Sequence, residues 1–513
     1  MLTDWSPRGV TSYDEQVFDL CVRPDHFLRR ALETIDWEQF HEKLARYYSP
    51  NLGRPAEPPV LMLKLEYLRY QYGLSDNQVI VRAETDMAFR CFLRIGVGDS
   101  LPDRSLLCRF RGRLGVDGFR TAFHELVSQA RAAGLVKDRL RIKDATHVIA
   151  NIAVPNTLAL ISQIRDKLLK AAEPFDPVRT EGEKANILLL REAYTSRDLE
   201  ERLVARTTHL REILAWVDEL PPPGDSEKNP QWAKLVEVRS LAHKILADQD
   251  NPEAGDRTIS AIDPDARRGK HGQWYDGYLV DILVDADSEL ITSVNVLPAN
   301  GDEAADAIEL VQQEEAAHGN DIEQLSIDGV GFQGPVLREL QDAAGLDLEV
   351  FVPPTKQVQT TTGFAAESFH ENPEQGSLTC PAGQITTNRS RNRRDTAWVY
   401  QFAASTCCNC SLRNRCLANS AAKSRRHVSV NDYQFEYDQA RAKAGTAAYE
   451  AVRREHPKVE RRLADMANRH SARRAQVRGH PKVLCQQLMA ASTANIKRMV
   501  RLLSMPNAAL ATL

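Results

Sequence analysis

From residue 26 to 44 the chain reads HFLRRALETIDWEQFHEKL, and Phe27, Leu28, Leu32, Ile35, Trp37 and Phe40 fall near helical spacing with one apolar side. PPVLMLKLEYLRYQYGLSDNQ predicts a second helix, entered at Pro58–Pro59 and ended near Gly73. Ser75 is placed to cap a third helix through GLSDNQVIVRAETDMAFRCFL. LPDRSLLCRFRGRLG opens another, with Asp103 or Ser105 as its cap and Arg109, Arg111 and Arg113 on its exposed side. Residues 1–136 therefore read as an all-helical unit. Short helices and tight turns admit a helix-turn-helix as well as a plain helical scaffold.

The period changes after Asp138. RLRIKDATHVIANIAVP alternates, with Leu140, Ile142, Asp144 and Thr146 on one face of a strand, so 137–155 opens a sheet. A mostly helical insertion follows over 156–258, broken by the loop PPPGDSEKNP. WYDGYLVDILVDADSELITSVNVLP gives two β-branched strands about a turn at Asp285–Ser288. A helix at DEAADAIELVQQEE, a strand ending in SIDGVG and a strand at LDLEVFVPP complete the central core, 259–358. A cysteine-bearing insertion occupies 359–430, and helices fill 431–513. The fold class this predicts is α/β: a mixed-sheet core interrupted by helical and cysteine-bearing insertions.

Charge adds a direction. The 513 residues carry a formal net charge of -4, with 42% hydrophobic and 27% charged residues, the profile of a soluble globular chain of two to four packed units. No apolar run approaches the roughly 20 residues of a membrane-spanning helix. Asp4, Asp14, Glu15, Asp19 and Asp25 argue against a secretory or transit peptide, so a cytoplasmic setting with no membrane partner is expected. The net charge excludes a uniformly cationic surface. Basic residues instead concentrate in LCRFRGRLG, NRSRNRR and AAKSRRH, and in Arg453–Val483, which holds ten Lys or Arg against three acids. That asymmetry suits a polyanion gripped along one side.

Three acids stand apart from the solvated ones. Asp144 lies in an apolar strand, Asp328 closes a strand before a glycine turn, and Glu460 borders the apolar stripe of a basic helix. Converging carboxylates make a hard-cation site for Mg²⁺ or Mn²⁺, and such ions promote phosphodiester chemistry. Clustered acids alone repel a phosphate backbone; bound cations reverse that sign. Lys458, Arg461, Arg462, Arg473 and Arg474 then extend the grip to flanking phosphates. A plain helix ion pair is the competing account of Glu460. Asp263 and Asp265 compete as ligands, though a solvated turn accounts for both. His147 follows Asp144 closely enough to orient substrate, and a packed or exposed histidine is the plainer alternative; His271 sits in a polar loop.

Several extended segments occur in a telling order: WEQFHEKLARYYSPNLGRPAEPPVLMLKLEYLRYQYGLSDNQV, AFRCFLRIGVGDSLPDRSLLCRFRGRLG, KDATHV, DPDARRGKHGQWYDGYLVDILVD, LSIDGVGFQG and PKVERRLADMANRH, running on to Asn495–Arg498. Together they resemble the DDE transposases of bacterial insertion sequences, in the branch with a helical N-terminal domain and a ribonuclease-H-like catalytic core. The resemblance implies that Asp144, Asp328 and Glu460 are the catalytic acids. It also implies that the N-terminal helices, with Arg109, Arg111 and Arg113, bind DNA. The implied chemistry is metal-dependent hydrolysis at an element's end, then attack of the freed 3′-hydroxyl on target DNA. Terminal inverted repeats and target duplex would be the partners, and a homo-oligomer would hold two ends together at the nucleoid. The family's usual Tyr, Arg and Lys around the Glu fall here on Arg453, His456 and Ala467, which leaves a basic partner to Lys458, Arg461 or Arg474. The turn after Asp328 reads Gly-Val-Gly-Phe where Gly-Tyr is more usual.

Nine cysteines in such a setting are thiols or ligands before they are disulfides. Cys21, Cys91, Cys108 and Cys485 are isolated and read as buried thiols. Cys380, Cys407, Cys410 and Cys416 have the makings of a tetrahedral structural Zn²⁺ site, with Cys408 an unassigned competitor. Reduced structural thiols and a redox role are the alternatives; a similar cysteine pattern occurs in the resembled family. Two rival functions also stay open. One is a ribonuclease-H-like nuclease that cuts without joining, the other a catalytically inactive DNA-binding derivative.

Overall fold

The computed structural model describes residues 10–51, 53–195, 197–355, 363–394, 396–417 and 424–504; Ala421–Lys423 of the third basic cluster lie outside them. Helices α1 (Ser12–Cys21), α2 (Phe27–Thr34), α3 (Trp37–Ala45), α4 (Pro59–Tyr72), α5 (Asp76–Thr85), α6 (Met87–Leu93) and α7 (Ser105–Ala132) precede the first strand. Two of the expected helices are each divided by an aspartate. Asp36 caps α3 by accepting from Glu38 N at 3.1 Å, and Asp86 caps α6 by accepting from Ala88 N at 3.0 Å. Of the other expected caps, Gly73 ends α4 at φ 64° and Ser75 and Gln78 make a capping box on α5, whereas α7 has Arg104 at its N-cap, with no side-chain cap bond, in place of Asp103 or Ser105.

Helix α4 is buried nearly all round, so its charges need partners inside the fold. Glu66, with a fully buried side chain, accepts from Arg69 and from Arg111, each at 2.7 Å, and Arg111 also pairs with Asp76. A buried carboxylate stripped of its cations would cost about 3–5 kcal/mol. This corrects the expectation for Arg111, which is a structural ion-pair residue and not a free surface cation. Arg109 and Arg113 are exposed, Arg113 stacking over Tyr48 at 4.3 Å.

The central sheet has six strands. β1 (Arg141–Ile149) pairs antiparallel with β3 (Gln273–Asp285), in a register that sets Asp144 opposite Ile282, and parallel with β5 (Gln324–Ser326). β6 (Glu349–Phe351) continues the sheet beside β5. On the other side, β2 (Arg267–His271) and β4 (Ile291–Pro298) share the far edge of the long β3. β2 falls where a polar loop around His271 was expected. Gly277 is obligatory in β3, because a Cβ there would meet Val148 O at 2.0 Å. The insertion after β1 is α8 (Thr157–Ala172), α9 (Pro177–Tyr194), α10 (Leu199–Asp218) and α11 (Pro230–Asp250), which pack around their own core of Ile161, Ile164, Ile213 and Ile245.

After β4 come α12 (Glu303–His318) and α13 (Gly334–Leu340), which cover one face of the sheet against Leu283, Leu325 and Val350. The cysteine-bearing insertion holds two three-stranded sheets. The first is β7 (His370–Asn372), β8 (Ser377–Thr379) and β9 (Ile385–Thr386). The second is β10 (Arg389–Asn392), β11 (Ala397–Gln401) and β12 (His427–Asn431), with the short α14 (Ala404–Cys408) and α15 (Arg413–Cys416) between its last two strands.

The remaining helices are α16 (Gln434–Ala444), α17 (Ala447–Glu455), α18 (Pro457–Arg469) and α19 (His480–Leu502). Apolar residues of α18 and α19 join Ile142, Val280 and Ile282 on the other sheet face, and the same core runs on into α2–α7. Asn495 ties α19 to the sheet, accepting from Ile291 N at 2.9 Å and donating to Ile291 O at 2.7 Å. No helix among the described residues is long and apolar enough to cross a membrane.

Candidate active site

Where β5 stops, its neighbour β1 continues, and Asp144 sits just past that point, half-buried. Asp328 follows the end of β5 and caps the tight turn Gly329–Gly331, accepting from Val330 N at 3.1 Å. The turn needs glycine at 331, since a Cβ would meet the Ile327 side chain at 2.3 Å. The third acid is one the sequence did not single out. Glu303 opens α12, whose cap Asp302 accepts from Ala304 N at 3.1 Å. The carboxylate oxygens of Asp144, Glu303 and Asp328 lie within 4.8 Å of one another.

Buried Lys143 anchors this arrangement. Its ammonium donates to Glu303 O at 2.7 Å, lies 3.4 Å from Glu303 Oε1 and is 2.7 Å from Asp281 Oδ2. A lysine in an apolar strand thereby fixes the first turn of the helix that carries Glu303. Burial first, then the charges of Asp328 and Glu303, push the Asp144 carboxyl up to about 7, against the pull of the Ala145 amide and Lys143. Crowded oxygen donors that resist their own ionisation are the donor set of a hard divalent cation, so these residues fit Mg²⁺ or Mn²⁺.

Basic and neutral groups border the acids. Arg453, at the end of α17, donates to Ile327 O at 2.8 Å and Ser326 Oγ at 3.2 Å. Burial lowers its guanidinium's pKa, while Asp328, Asp144 and Glu460 all pull it back up. His456 meets Ser326 Oγ at 3.1 Å and is pushed down to about 4, by burial and then by Arg453, so it is neutral at pH 7. Glu460 lies one turn further along α18, exposed, and is not in the group of three converging carboxylates.

The basic residues expected around Glu460 divide by task. Lys458 donates to Ala286 O at 2.7 Å, and Arg461 pairs with Glu289 at 3.0 Å while staying exposed. Arg462 is buried against Ala494 O at 3.1 Å, which corrects its reading as an open surface cation: the α19 backbone takes it inward. Arg473 contacts His147 Nε2 at 3.1 Å, and Arg474 is exposed beside the end of β1. The His147 ring lies 5.0 Å from that of Tyr275. Asp263 proves buried, not solvated, because it accepts from Tyr278 Oη at 2.6 Å and Gly479 N at 3.0 Å. Asp265 accepts from His480 N at 2.9 Å.

Cys380, Cys407, Cys410 and Cys416 line one cavity of about 30 Å³, from which Cys408 is absent. Burial and the other three cysteines raise the Cys416 thiol. Their sulfurs stand wider apart than the carboxylates: among the described residues, only the acid group has its ligand atoms within 4.8 Å.

Two family profiles match the chain: "Transposase domain (DUF772)" over residues 16–113 and "Transposase DDE domain" over residues 379–500. Both matches are to transposase domains, so over these two segments the chain is similar to DDE-type transposases. The second match takes in the cysteine cavity, Glu460 and Asn495, whereas Asp144, Glu303 and Asp328 lie outside both. Among curated proteins the chain is similar to "Uncharacterized protein ORF8 in nfe locus" of Rhizobium meliloti, 29% identical over 121 residues, or 23% of this chain and 58% of that relative's length. No solved structure matches.

Proposed function

We propose that this chain is a transposase that cleaves duplex DNA at an element's terminal repeats and joins the freed 3′ end to a target. The observation that carries the reading is the meeting of Asp144, Glu303 and Asp328, whose oxygens come within 4.8 Å beside a basic helix. The strand order β4–β3–β1–β5–β6, with Asp144 and Asp328 side by side on β1 and after β5, supports a ribonuclease-H-like core.

In this reading Asp144, Asp328 and Glu303 would hold Mg²⁺ or Mn²⁺, and Glu460, exposed on α18, is the acid that the resemblance assigns. A bound divalent cation supplies Lewis-acid stabilisation of the charge developing on the phosphoryl group and activation of the attacking hydroxyl. A bound cation would favour the ionised form of Asp144, against the burial and neighbouring charges that raise its pKa. Lys143 holds Glu303 in place, and Arg453 locks the end of β5 so that Asp328 keeps its position. His456 is neutral and turned to Ser326, so it adds no competing charge. Exposed Arg109, Arg113 and Arg474 serve the DNA backbone, and two chains pair in the synaptic assembly. Structural Zn²⁺ in the Cys380, Cys407, Cys410 and Cys416 cavity would rigidify the insertion; tetrahedral Zn–S bonds of about 2.3 Å require those sulfurs to draw together.

The test compares wild type with Asp144→Asn and Glu460→Gln on duplexes carrying the host element's ends, with Mg²⁺ or EDTA. Metal-dependent cutting and joining by wild type, lost in Asp144→Asn while DNA binding persists, is the expected result. Cutting without joining would leave a nuclease. Binding without either reaction, across correct ends, would leave a DNA-binding derivative.

A further inference from the structure

A groove of about 580 Å³ runs between α18 and the last turns of α19. Arg461, Arg462, Arg469, Lys497, Arg498 and Arg501 line it against only two carboxylates, Glu289 and Asp465, a surplus of four positive charges. Those two acids are heavily shared. Asp465 lies 3.3–3.5 Å from Arg462, Arg469 and Lys497, and Glu289 lies 3.0 Å from Arg461 and 3.5 Å from Arg498. Arg462 is 9% exposed, and its Nε has no hydrogen-bond partner among the described residues. Arg462, Lys497 and Arg498 are all held below their ordinary pKa, by burial first and by neighbouring cations as well. Such a site gains from an anion entering it.

Its shape selects which anion. Arg461 and Arg469 are two helical turns apart, about 12 Å along α18, and Lys497 and Arg501 are one turn apart, about 6 Å along α19. A duplex lying along that length would pass three to four base-pair steps, at roughly 3.4 Å of axis each. The groove begins at Arg461, which follows Glu460 on α18. It ends where Arg30 of α2 donates to Val500 O at 3.1 Å, against the N-terminal helices.

We propose that this groove is a phosphate track that grips one strand of duplex DNA away from the reacting phosphodiester, between the acid cluster and the N-terminal helices. The proposal rests on the duplex-DNA reading above and adds the path the duplex takes. Arg469, with a side chain 72% exposed, and the exposed Arg501 supply the adjustable contacts. Arg461 and Arg498 become available to phosphate as they leave Glu289.

The test measures anisotropy of a labelled 30-bp mixed-sequence duplex on the full chain in EDTA, with KCl varied. Arg469→Ala/Arg501→Ala should weaken binding about 5–20-fold near 100 mM salt. The log–log salt slope should become shallower by about 1–2, as expected for one or two lost phosphate contacts. Glu289→Gln frees two arginines and should tighten binding about 2–5-fold, which keeps the idea testable if the double variant folds poorly. Wild-type affinity and slope in both variants would overturn the groove. Metal-dependent cleavage by wild type, measured separately, decides the catalytic reading: a chain that cuts with an unchanged slope sinks only the groove, and one that never cuts but shows the shallower slope sinks only the catalysis.

Discussion

Glu303 is the residue on which the proposed metal site turns, and Glu303→Gln isolates its charge while keeping its shape. Its carboxylate comes within 4.8 Å of Asp144 and Asp328. Two unit charges at that distance repel by about 0.9 kcal/mol in water and about 3.5 kcal/mol at an effective dielectric of 20. The half-buried setting lies between those limits, so the substitution should bring the Asp144 carboxyl down from about 7 by one or two pH units. If charge repulsion were all that mattered, a lower value would favour cation binding at neutral pH. If Glu303 is a ligand, the lost oxygen outweighs that gain, and Mn²⁺ affinity should fall about 10–100-fold, as when a partner of a metal site is removed. The two effects have opposite signs, so titration calorimetry with Mn²⁺ at pH 7.5 separates them. Asp144→Asn and Asp328→Asn serve as references that lose binding outright. Wild-type or tighter Mn²⁺ binding by Glu303→Gln would refute Glu303 as a ligand and return the third position to Glu460.

Two further outcomes follow from groups away from that site. Lys64 is buried between Trp37 and Phe92, 5.2 and 5.4 Å from their rings, and burial pushes it down to about 7. Between about pH 7 and 10.5 the unfolded chain binds this proton and the folded chain does not, so the lysine's contribution to stability rises with pH there. Keeping it charged below pH 7 costs at most about 4–5 kcal/mol. Lys64→Met should therefore raise the melting temperature most at pH 6, with the gain shrinking toward pH 9.5; a pH-independent gain would contradict the buried ammonium. At the cysteine cavity, purified protein should carry about one Zn²⁺ per chain by atomic emission. Cys410→Ser should lose it and Cys408→Ser keep it; zinc-free wild type would leave four structural thiols.

What the sequence made legible follows from the reach of each signal. Asp144 and Asp328 stood out because local pattern isolates them, one in an apolar strand and one before a glycine turn, and the sheet then sets them together. Glu303 gave no such signal. It lies in DEAADAIEL, where acids belong at a helix start for reasons of capping and dipole alone. Only the tertiary fold, which brings the first turn of α12 beside Lys143 and Asp144 of β1, distinguishes it. The usable hint was Lys143: a lysine in a strand of that apolarity requires a buried acid, and Asp281 and Glu303 answer it. Arg111 misled for the same reason in reverse, since the acids that take it inward, Glu66 and Asp76, lie 45 and 35 residues away.

The basic run at 453–483 shows the limit most clearly. Its ten cations are one cluster in sequence, but a helix turns consecutive residues to different sides. Arg453 and His456 fall beside Ser326, Lys458 reaches the β3–β4 turn, Arg462 goes inward, Arg461 and Arg469 open onto the groove, and Arg473 returns to His147. Composition identified a concentration of cations that suits a polyanion. Which cations are free to hold it depends on which carboxylates and carbonyls the fold brings to the others first, and that is decided across the sheet, not along the chain.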